Sequence, residues 1–257
     1  MQYFNMDAYV KAFWLPKEGS TEEEYEDAFF PRHAHSLSGE RLRFAVADGA
    51  TEASFSRLWA RMLVRAFVRR ALDLPPNSEQ LTSLREEWSM AVHGKVLPWY
   101  AEQKAAIGAF SALVGLEFRE EGSGPELRRE WHAVAAGDSC LMHITENKIL
   151  QAFPIKESAA FSNSPDLLGT VPGSQVDESR LFLETRGNCA RKDQFLLMSD
   201  ALSCWFLKSS EDGDQPWLTL AAAEAGGEAG FKEFVAKLRA DKAIKNDDVT
   251  LMRIELA

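Results

Sequence analysis

The stretch FAVADGATEAS, residues 44–54, decides how this chain is interpreted. It begins with apolar residues typical of a buried strand, passes into Asp48 and Gly49, and leads within a few residues into a helical pattern. An Asp-Gly pair is a common turn, so the carboxylate could simply end the strand. Alternatively, Asp48 could serve as an oxygen ligand for a hard cation such as Mg²⁺.

Length and composition indicate a globular protein, and we expect a single domain over residues 1–257. The net charge of −10 argues against nucleic acid as a partner, but it does not exclude phosphorylated substrates, because bound metal ions can reverse the local charge. Three cysteines without CxxC spacing argue against a disulfide framework and a zinc site. No signal peptide and no apolar run of about 20 residues is visible, which favours a soluble, cytoplasmic protein without a membrane segment.

The apolar patterns predict an α+β protein. Strands are expected at 5–15, 42–47, 109–118, 131–136, 140–145, 148–153, 180–185, 194–198 and 249–256. Helices are expected at 53–72, 78–97, 201–207, 216–225 and 231–240, with Ser78 as the N-cap of the second. This order lacks strict βαβ alternation and suits antiparallel sheets with helices packed outside.

Carboxylates recur at the edges of the predicted strands. They are Asp48, Asp138, Asp200, the pair Asp247-Asp248, and the pair Glu26-Asp27. A carboxylate at the edge of an apolar strand is costly to desolvate, and converging carboxylates repel one another unless a cation lies among them. Oxygen ligands of this kind select Mg²⁺ or Mn²⁺ over zinc or copper.

Each of these acids also has a purely structural interpretation. Asp48 and Asp138 lie in good turn sequences, and Asp200 could cap the helix that follows it. Asp247 or Asp248 could close a surface turn, and Glu26-Asp27 could belong to a solvated acidic face. Spacing alone does not establish that the acids converge.

Six motifs, in order, resemble those of the metal-dependent protein phosphatases, the type 2C serine/threonine phosphatases. They are EDAF (26–29), FAVADGATEAS (44–54), GAFSALVGLEF (108–118), AVAAGDSCL (133–141), FLLMSDAL (195–202) and NDDVTLMRI (246–254). The resemblance implies a four-layer α/β/β/α sandwich, in which two antiparallel sheets are flanked by helices. It also implies a site for two Mn²⁺ or Mg²⁺ ions at one end of the sandwich.

The resemblance assigns roles to six positions. Asp48 would bridge the two ions, the Gly49 carbonyl would bind one of them, and Asp200 and Asp247 would bind the other. Asp27, on the first strand, would hold metal-bound waters, and Asp138 matches a ligand of a weaker third ion. A metal-activated water would then attack phosphorus in line, with Asp48, Asp200 and Asp247 as the catalytic carboxylates and no cysteine nucleophile.

The chain departs from the family pattern at several positions. Ala50 stands where some relatives carry a histidine proposed as general acid, and Glu22 stands where many carry a phosphate-binding arginine. Lys17 is the nearest cation in sequence and is predicted to bind phosphate in its place. Cys204 replaces a ligand of the third metal, and Cys140 replaces an arginine.

The resemblance implies a phosphatase that acts on phosphoserine or phosphothreonine in proteins, with a Ser/Thr kinase as partner. A pseudophosphatase that binds phosphoproteins or a kinase without hydrolysis is the alternative, which Glu22, Ala50 and Cys204 favour. A third possibility keeps the chemistry but replaces the protein substrate with a small phosphorylated molecule.

Three further features have two interpretations each. Arg57, Arg61, Arg65 and Arg69 recur at every fourth position, as a docking stripe for an acidic partner or as a solvated helix face. Residues 162–179 form either a substrate-selecting flap or a plain surface loop. His33 and His35 could approach the site or lie in a surface loop.

Overall fold

Two antiparallel six-stranded sheets form the centre of the protein, which is described here as a computed structural model. The structure describes residues 6–32, 36–50, 55–93, 107–121, 128–145, 148–162, 164–171 and 181–257. The strands are β1 (Met6–Leu15), β2 (Ala28–Phe30), β3 (Ser36–Gly39), β4 (Arg41–Gly49), β5 (Phe110–Glu121), β6 (Arg128–Ala136), β7 (Cys140–Thr145), β8 (Lys148–Phe153), β9 (Leu168–Gly169), β10 (Leu183–Asn188), β11 (Gln194–Met198) and β12 (Val249–Leu256). The helices are α1 (Ser56–Val68), α2 (Ser78–His93), α3 (Asp200–Glu211), α4 (Pro216–Ala225) and α5 (Gly227–Ala240).

The first sheet has the strand order β3-β1-β12-β11-β7-β8, and the second has the order β10-β6-β5-β4-β2, with β9 paired to β5. Three apolar clusters separate the layers. One lies between the two sheets and contains Phe44, Phe118 and Phe195. A second packs α1 and α2 on the second sheet, and a third packs α3, α4 and α5 on the first. The predicted α+β fold, a four-layer sandwich of two antiparallel sheets flanked by helices, is therefore confirmed.

The contact between α1 and the second sheet is close. A Cβ atom at Gly115 would lie 2.5 Å from the ring of Phe67, so β5 needs a glycine where this aromatic side chain rests on it. From β4, Arg43 donates hydrogen bonds to the carbonyl of Phe67 (2.9 Å), in the last turn of α1, and to that of Leu72 (2.7 Å), four residues after the helix. Arg43 therefore fixes the end of this helix to the sheet.

Several predicted boundaries need correction. Helix α1 ends at Val68 rather than at residue 72, because Arg70 has a φ of 64°, which a continuing helix does not allow. Strand β10 begins at Leu183 rather than at residue 180. The short strands β2, β3 and β9 were not predicted, since two to four residues are too few to show an alternating pattern.

The cap of α2 is Asn77 and not Ser78. The Asn77 side-chain oxygen accepts the backbone N–H of Gln80 at 2.9 Å, and the Gln80 side chain accepts the backbone N–H of Asn77 at 3.2 Å. This reciprocal pair is a capping box with an Asn and a Gln in its two places. The expected extension of α2 to residue 97 lies outside the described residues, which end this helix at His93.

Within the described part of the chain, no helix is both long enough and apolar enough to cross a membrane.

Candidate functional site

Antiparallel pairing brings the predicted carboxylates to one end of the sandwich. The start of β2 lies beside the end of β4, since Ala28 pairs with Ala47. The end of β11 likewise lies beside the start of β12, since Met198 pairs with Leu251. An antiparallel partner places the beginning of one strand against the end of the next, so acids that precede or follow strands meet at the same edge.

A cavity of 560 Å³ lies at this edge, and the structure places most of the predicted site residues in its wall. Its charged lining among the described residues consists of Asp48, Asp138, Asp200, Asp247 and Lys245. Gly49, Ala50, Phe110 and Leu167 contribute to the remaining surface. The cavity is therefore strongly acidic, with one lysine in its described wall.

Asp48 lies at the centre of the acidic group. It is the penultimate residue of β4 and pairs with Ala112, so it belongs to a strand and not to a turn. Burial raises the pKa of Asp48 well above its usual range, and the carboxylates of Asp27, Asp200, Asp138 and Asp247 raise it further. Four acids therefore act on Asp48 electrostatically, which spacing alone could not establish.

Asp27 is not part of the cavity wall; it lies just before β2 rather than on the first strand as expected, and is 1% exposed. Its Oδ2 accepts a hydrogen bond from Thr250 Oγ1 at 2.6 Å, while its buried Oδ1 has no hydrogen-bond partner among the described residues. Burial, followed by the charges of Asp248 and Asp200, raises the pKa of Asp27 well above its usual range. The interpretation of Asp27 as part of a solvated face is therefore wrong.

Asp138 and Asp200 reach the cavity from the ends of β6 and β11. Gly137, with a φ of 86° and Ala112 packed against it, turns the chain after β6 and presents Asp138. Burial and the charge of Asp200 raise the pKa of Asp138 to about 7. Asp200 is the first residue of α3, whose N-cap is Ser199, so the capping role considered for Asp200 is wrong.

The two acids before β12 have different surroundings. Asp247 lines the cavity. Asp248 accepts the backbone N–H groups of Lys17 (2.8 Å) and Glu26 (2.6 Å), so it ties the end of β1 to the segment that carries Asp27. Asp248 therefore holds these two segments together and is not part of a solvated turn.

Gly49 has a steric function in addition to any role of its carbonyl. A Cβ atom at this position would lie 2.8 Å from the Glu26 carbonyl oxygen and 3.2 Å from Ser56. The end of β4 thus passes between the segment that carries Asp27 and the start of α1, and only a residue without a side chain fits there.

The structure does not bring Lys17 into this cavity. Lys17 lines a separate cavity together with Glu22, and its Nζ lies 3.9 Å from Glu26 Oε2. Lys245, in contrast, lines the acidic cavity, and its charge partly opposes the rise in the pKa of Asp138 and of Asp200 that burial and the neighbouring acids cause. Sequence reasoning missed Lys245, although its position two residues before Asp247 was an available signal.

The predicted flap loop contributes to the same cavity through Ser162, Pro165 and Leu167, while 163 and 172–179 lie outside the described residues. His33 and His35 also lie outside the described residues.

The three cysteines are free thiols. Burial raises the pKa of Cys140 to about 12, which leaves this thiol protonated and a poor nucleophile at neutral pH.

The acidic group fits divalent cations in charge and in donor type. Its donors are all oxygen, the carboxylates raise one another's pKa, and Asp27 carries an unpartnered buried oxygen. As the side chains stand, however, no three His, Cys, Asp or Glu residues in the described ranges are arranged to hold one metal ion together. Oxygen ligands other than carboxylates, such as the Gly49 carbonyl, would have to complete the coordination of an ion here.

Comparison with known families agrees with this arrangement of acids. The family model of protein phosphatase 2C matches residues 20–237, a span that contains Asp27, Asp48, Asp138 and Asp200. The chain belongs to the protein phosphatase 2C family. The Asp247-Asp248 pair lies beyond the matched span, and the structure places Asp247 in the cavity wall.

Solved structures share the protein phosphatase 2C fold with this chain at low sequence identity. The serine/threonine phosphatase Stp1 from Staphylococcus aureus is 15% identical with a TM-score of 0.58, and the match covers 96% of this chain and 94% of Stp1. The phosphatase PstP from Mycobacterium tuberculosis is also 15% identical, with a TM-score of 0.56 and coverage of 97% and 98%. PppA from Pseudomonas aeruginosa is 17% identical, with a TM-score of 0.53 and coverage of 98% and 100%. No curated protein matches the chain in sequence.

Proposed function

We propose that this protein is a metal-dependent phosphatase that hydrolyses phosphoserine and phosphothreonine in proteins. The observation that carries the proposal is the convergence of acids from separate strand ends on Asp48, in a chain of the protein phosphatase 2C family. Such a group is costly to maintain without cations, and acids of raised pKa in a cavity are typical of functional sites. One related structure, of the PstP catalytic domain, is in complex with two manganese ions.

Five of the predicted ligands line the cavity in which the ions would be held. Asp48, Asp200, Asp247 and the Gly49 carbonyl are the proposed ligands of two Mn²⁺ or Mg²⁺ ions. Asp138, at the same cavity wall, is the proposed ligand of a weaker third ion, and buried Asp27 would hold metal-bound waters. Ions held by these residues would supply a water nucleophile at neutral pH and offset the charge of the phosphoryl group.

Lys245 is the residue that we propose for holding the phosphoryl group. Its ammonium group shares the cavity with Asp48 and Asp200, and a lysine in this position can donate charge-assisted hydrogen bonds to phosphate oxygens. Lys17 stays a prediction for this role. Ala50 supplies no proton to the leaving group, so the proton must come from another donor.

The alternative function is a pseudophosphatase that binds phosphoproteins without hydrolysis. The position of Glu22 and Lys17 away from the acidic cavity favours it. In either case we propose a phosphoprotein as the partner in the cytoplasm, with a Ser/Thr kinase producing its phosphorylated form.

Hydrolysis of p-nitrophenyl phosphate with Mn²⁺, with Mg²⁺ and with chelator tests the proposal on the wild type and on Asp200→Asn. Asp241→Asn, an exposed change of the same type at the end of α5, is the matched control. We expect metal-dependent turnover that falls by about a hundredfold or more in Asp200→Asn and is unchanged in the control. Calorimetric titration with Mn²⁺ should show weakened binding in the same variant.

No turnover by folded wild type that binds Mn²⁺ would contradict the phosphatase proposal and favour the pseudophosphatase. Equal turnover by Asp200→Asn and the wild type would contradict the assignment of Asp200.

A further inference from the structure

Four arginines form a stripe along the outer face of α1. Arg57, Arg61, Arg65 and Arg69 follow one another at four-residue intervals, which places them on one side of the helix. The opposite side is buried against the second sheet through Trp59, Leu63 and Phe67. The arginine stripe is therefore the face of α1 that points away from the sheet.

A fifth arginine, Arg32, joins the stripe from the segment after β2. Burial lowers the pKa of Arg61, and the positive charges of Arg57, Arg32 and Arg65 lower it further. Arg32 lies 5.2 Å from the centre of the Phe29 ring, and Arg69 lies 5.9 Å from the centre of the Phe30 ring. These cation–π contacts hold Arg32 and Arg69 against the edge strand β2, at Phe29 of the cluster between the sheets and at Phe30 beside the cluster under α1.

The described residues provide no carboxylate to compensate the stripe. None of the five arginines forms an ion pair with an acid in the described ranges, although the chain has 39 Asp and Glu residues against 29 Lys and Arg. The Nε atoms of Arg57 and Arg61 are buried and have no hydrogen-bond partner there. A plain solvated face would leave these guanidinium groups in water, so the partly buried and uncompensated cluster favours an anionic ligand.

The stripe begins beside the acidic cavity. Ser56, at the start of α1, packs against Gly49, and Arg57 donates a hydrogen bond to the carbonyl of Glu23 in the segment that leads to Asp27. From Arg57 to Arg69 the helix rises by about 18 Å. An extended peptide covers this distance with about five or six residues.

We propose that the arginine stripe is a docking site for an acidic segment of the phosphoprotein substrate. The occupant is a run of Asp or Glu residues within about six positions of the phosphorylated residue, which would extend along α1 while the phosphoryl group lies in the cavity. Arginine favours such a ligand because its guanidinium group can bind a carboxylate through two parallel hydrogen bonds. This proposal rests on the proposed function for the identity of the substrate.

The test compares two phosphothreonine peptides. The acidic peptide has Asp and Glu residues beside the phosphothreonine, and the neutral peptide has Asn and Gln at the same positions. We expect the wild type with Mn²⁺ to hydrolyse the acidic peptide with a kcat/KM roughly three- to thirtyfold higher. The double variant Arg61→Gln/Arg65→Gln should lose this preference. Arg128→Gln/Arg191→Gln removes the same charge from exposed positions elsewhere and should keep it.

The docking site would be overturned if the α1 double variant still preferred the acidic peptide, or if the control variant lost this preference to the same extent. So would a wild type that does not distinguish the peptides. If neither peptide is hydrolysed, the proposed function fails, and fluorescence anisotropy with the unphosphorylated peptides still decides the docking site. Tighter binding of the acidic peptide that depends on Arg61 and Arg65 supports it, and equal or absent binding overturns it.

Discussion

Lys245 shows how much a single residue can add to an acidic site. It is the lysine in the described wall of a cavity that otherwise contains Asp48, Asp138, Asp200 and Asp247 as charged residues. Metal ions bound by these acids would turn the cavity positive, and a nearby ammonium group would then favour phosphate further. Glu22, at the position where the resemblance implies a phosphate-binding arginine, lies at another cavity.

Replacement of Lys245 should therefore weaken phosphate binding. We expect Lys245→Gln to lower kcat/KM for a phosphothreonine peptide by about ten- to a hundredfold, the equivalent of one charge-assisted hydrogen bond. Steady-state kinetics measure the change, with Lys237→Gln, an exposed lysine of α5, as the control. A variant that matches wild-type kinetics, or a larger loss in Lys17→Gln, would return the role to Lys17.

Asp138 allows a prediction about pH in metal-free protein. Burial and Asp200 raise its pKa from 3.8 to about 7, so the folded state binds this proton more tightly than the unfolded state does. The free energy of unfolding should therefore rise as pH falls from about 7 towards 4, and the cost of the ionised group is present in full above pH 7.

Thermal unfolding in chelator at pH 8 and pH 6 checks this sign. Asp138→Asn should stabilise the protein at pH 8 by roughly 1–2 kcal/mol and reduce the gain on acidification, since removing an unfavourable charge at a functional site commonly has this effect. Asp241→Asn should behave as the wild type. A variant that is less stable than the wild type at pH 8 would show that Asp138 is compensated in the apo protein.

At the scale of elements, the ion pairs of Glu117 hold the second sheet and α1 together. Glu117 on β5 faces Arg43 on β4, with Glu117 Oε2 2.6 Å from Arg43 Nε and its side chain fully buried. Burial alone would raise the pKa of Glu117, but hydrogen bonds from Arg41, Arg43 and Arg119 outweigh it and lower the pKa from 4.5 to about 2. Arg43 also binds the end of α1.

Glu117→Gln should consequently destabilise the fold by about 3 kcal/mol, because it leaves Arg43 buried without its counter-charge. In the wild type, the stability that the ionised Glu117 contributes is fully present above about pH 4.5 and is lost as pH falls towards 2. Urea unfolding at pH 7 and pH 3 measures both effects. Glu184→Gln, a partly exposed acid on β10, should cost less than about 1 kcal/mol, and an equal loss there would contradict the assignment.

The start of α2 offers a second test at this scale. Asn77→Ala removes the oxygen that caps Gln80 and should lower the free energy of unfolding by about 1 kcal/mol. Ser78→Ala should change it by only a few tenths of that amount, since Ser78 is already the first helical residue. Urea unfolding of the two variants decides between them, and the reverse order would restore Ser78 as the cap.

At the scale of the whole molecule, the sequence predicted the features that depend on patterns extending over many residues. The fold class and most long strands followed from apolar runs, and the site acids followed from their places at strand ends. Convergence on Asp48 could not be read from spacing, because strand order and register decide which ends meet. Lys245 was missed because a lysine before an acidic turn is common in sequences. Only the acids that the fold brings into the same cavity indicate that this lysine belongs to the site.

The buried acidic cluster should also make the stability of the whole molecule depend on bound cations. Burial holds Asp27 and Asp48 in a cluster of like charge that is unfavourable without a counter-ion. A ligand that binds only the folded state stabilises it, by about 2.7 kcal/mol at a concentration one hundred times its Kd. We expect Mn²⁺ to raise the Tm of wild type and to have little effect on Asp48→Asn, as measured by differential scanning fluorimetry.

The most direct test of the cation-dependent site is phosphate release from a phosphothreonine peptide before chelation, after chelation, and after Mn²⁺ is restored. We predict release that stops with the chelator and returns with Mn²⁺, because in the proposed reaction the carboxylates around Asp48 act through bound cations. Release that continues at full rate in chelator would contradict a metal-dependent reaction at this site. Absence of release from folded, Mn²⁺-bound protein would contradict the phosphatase function itself.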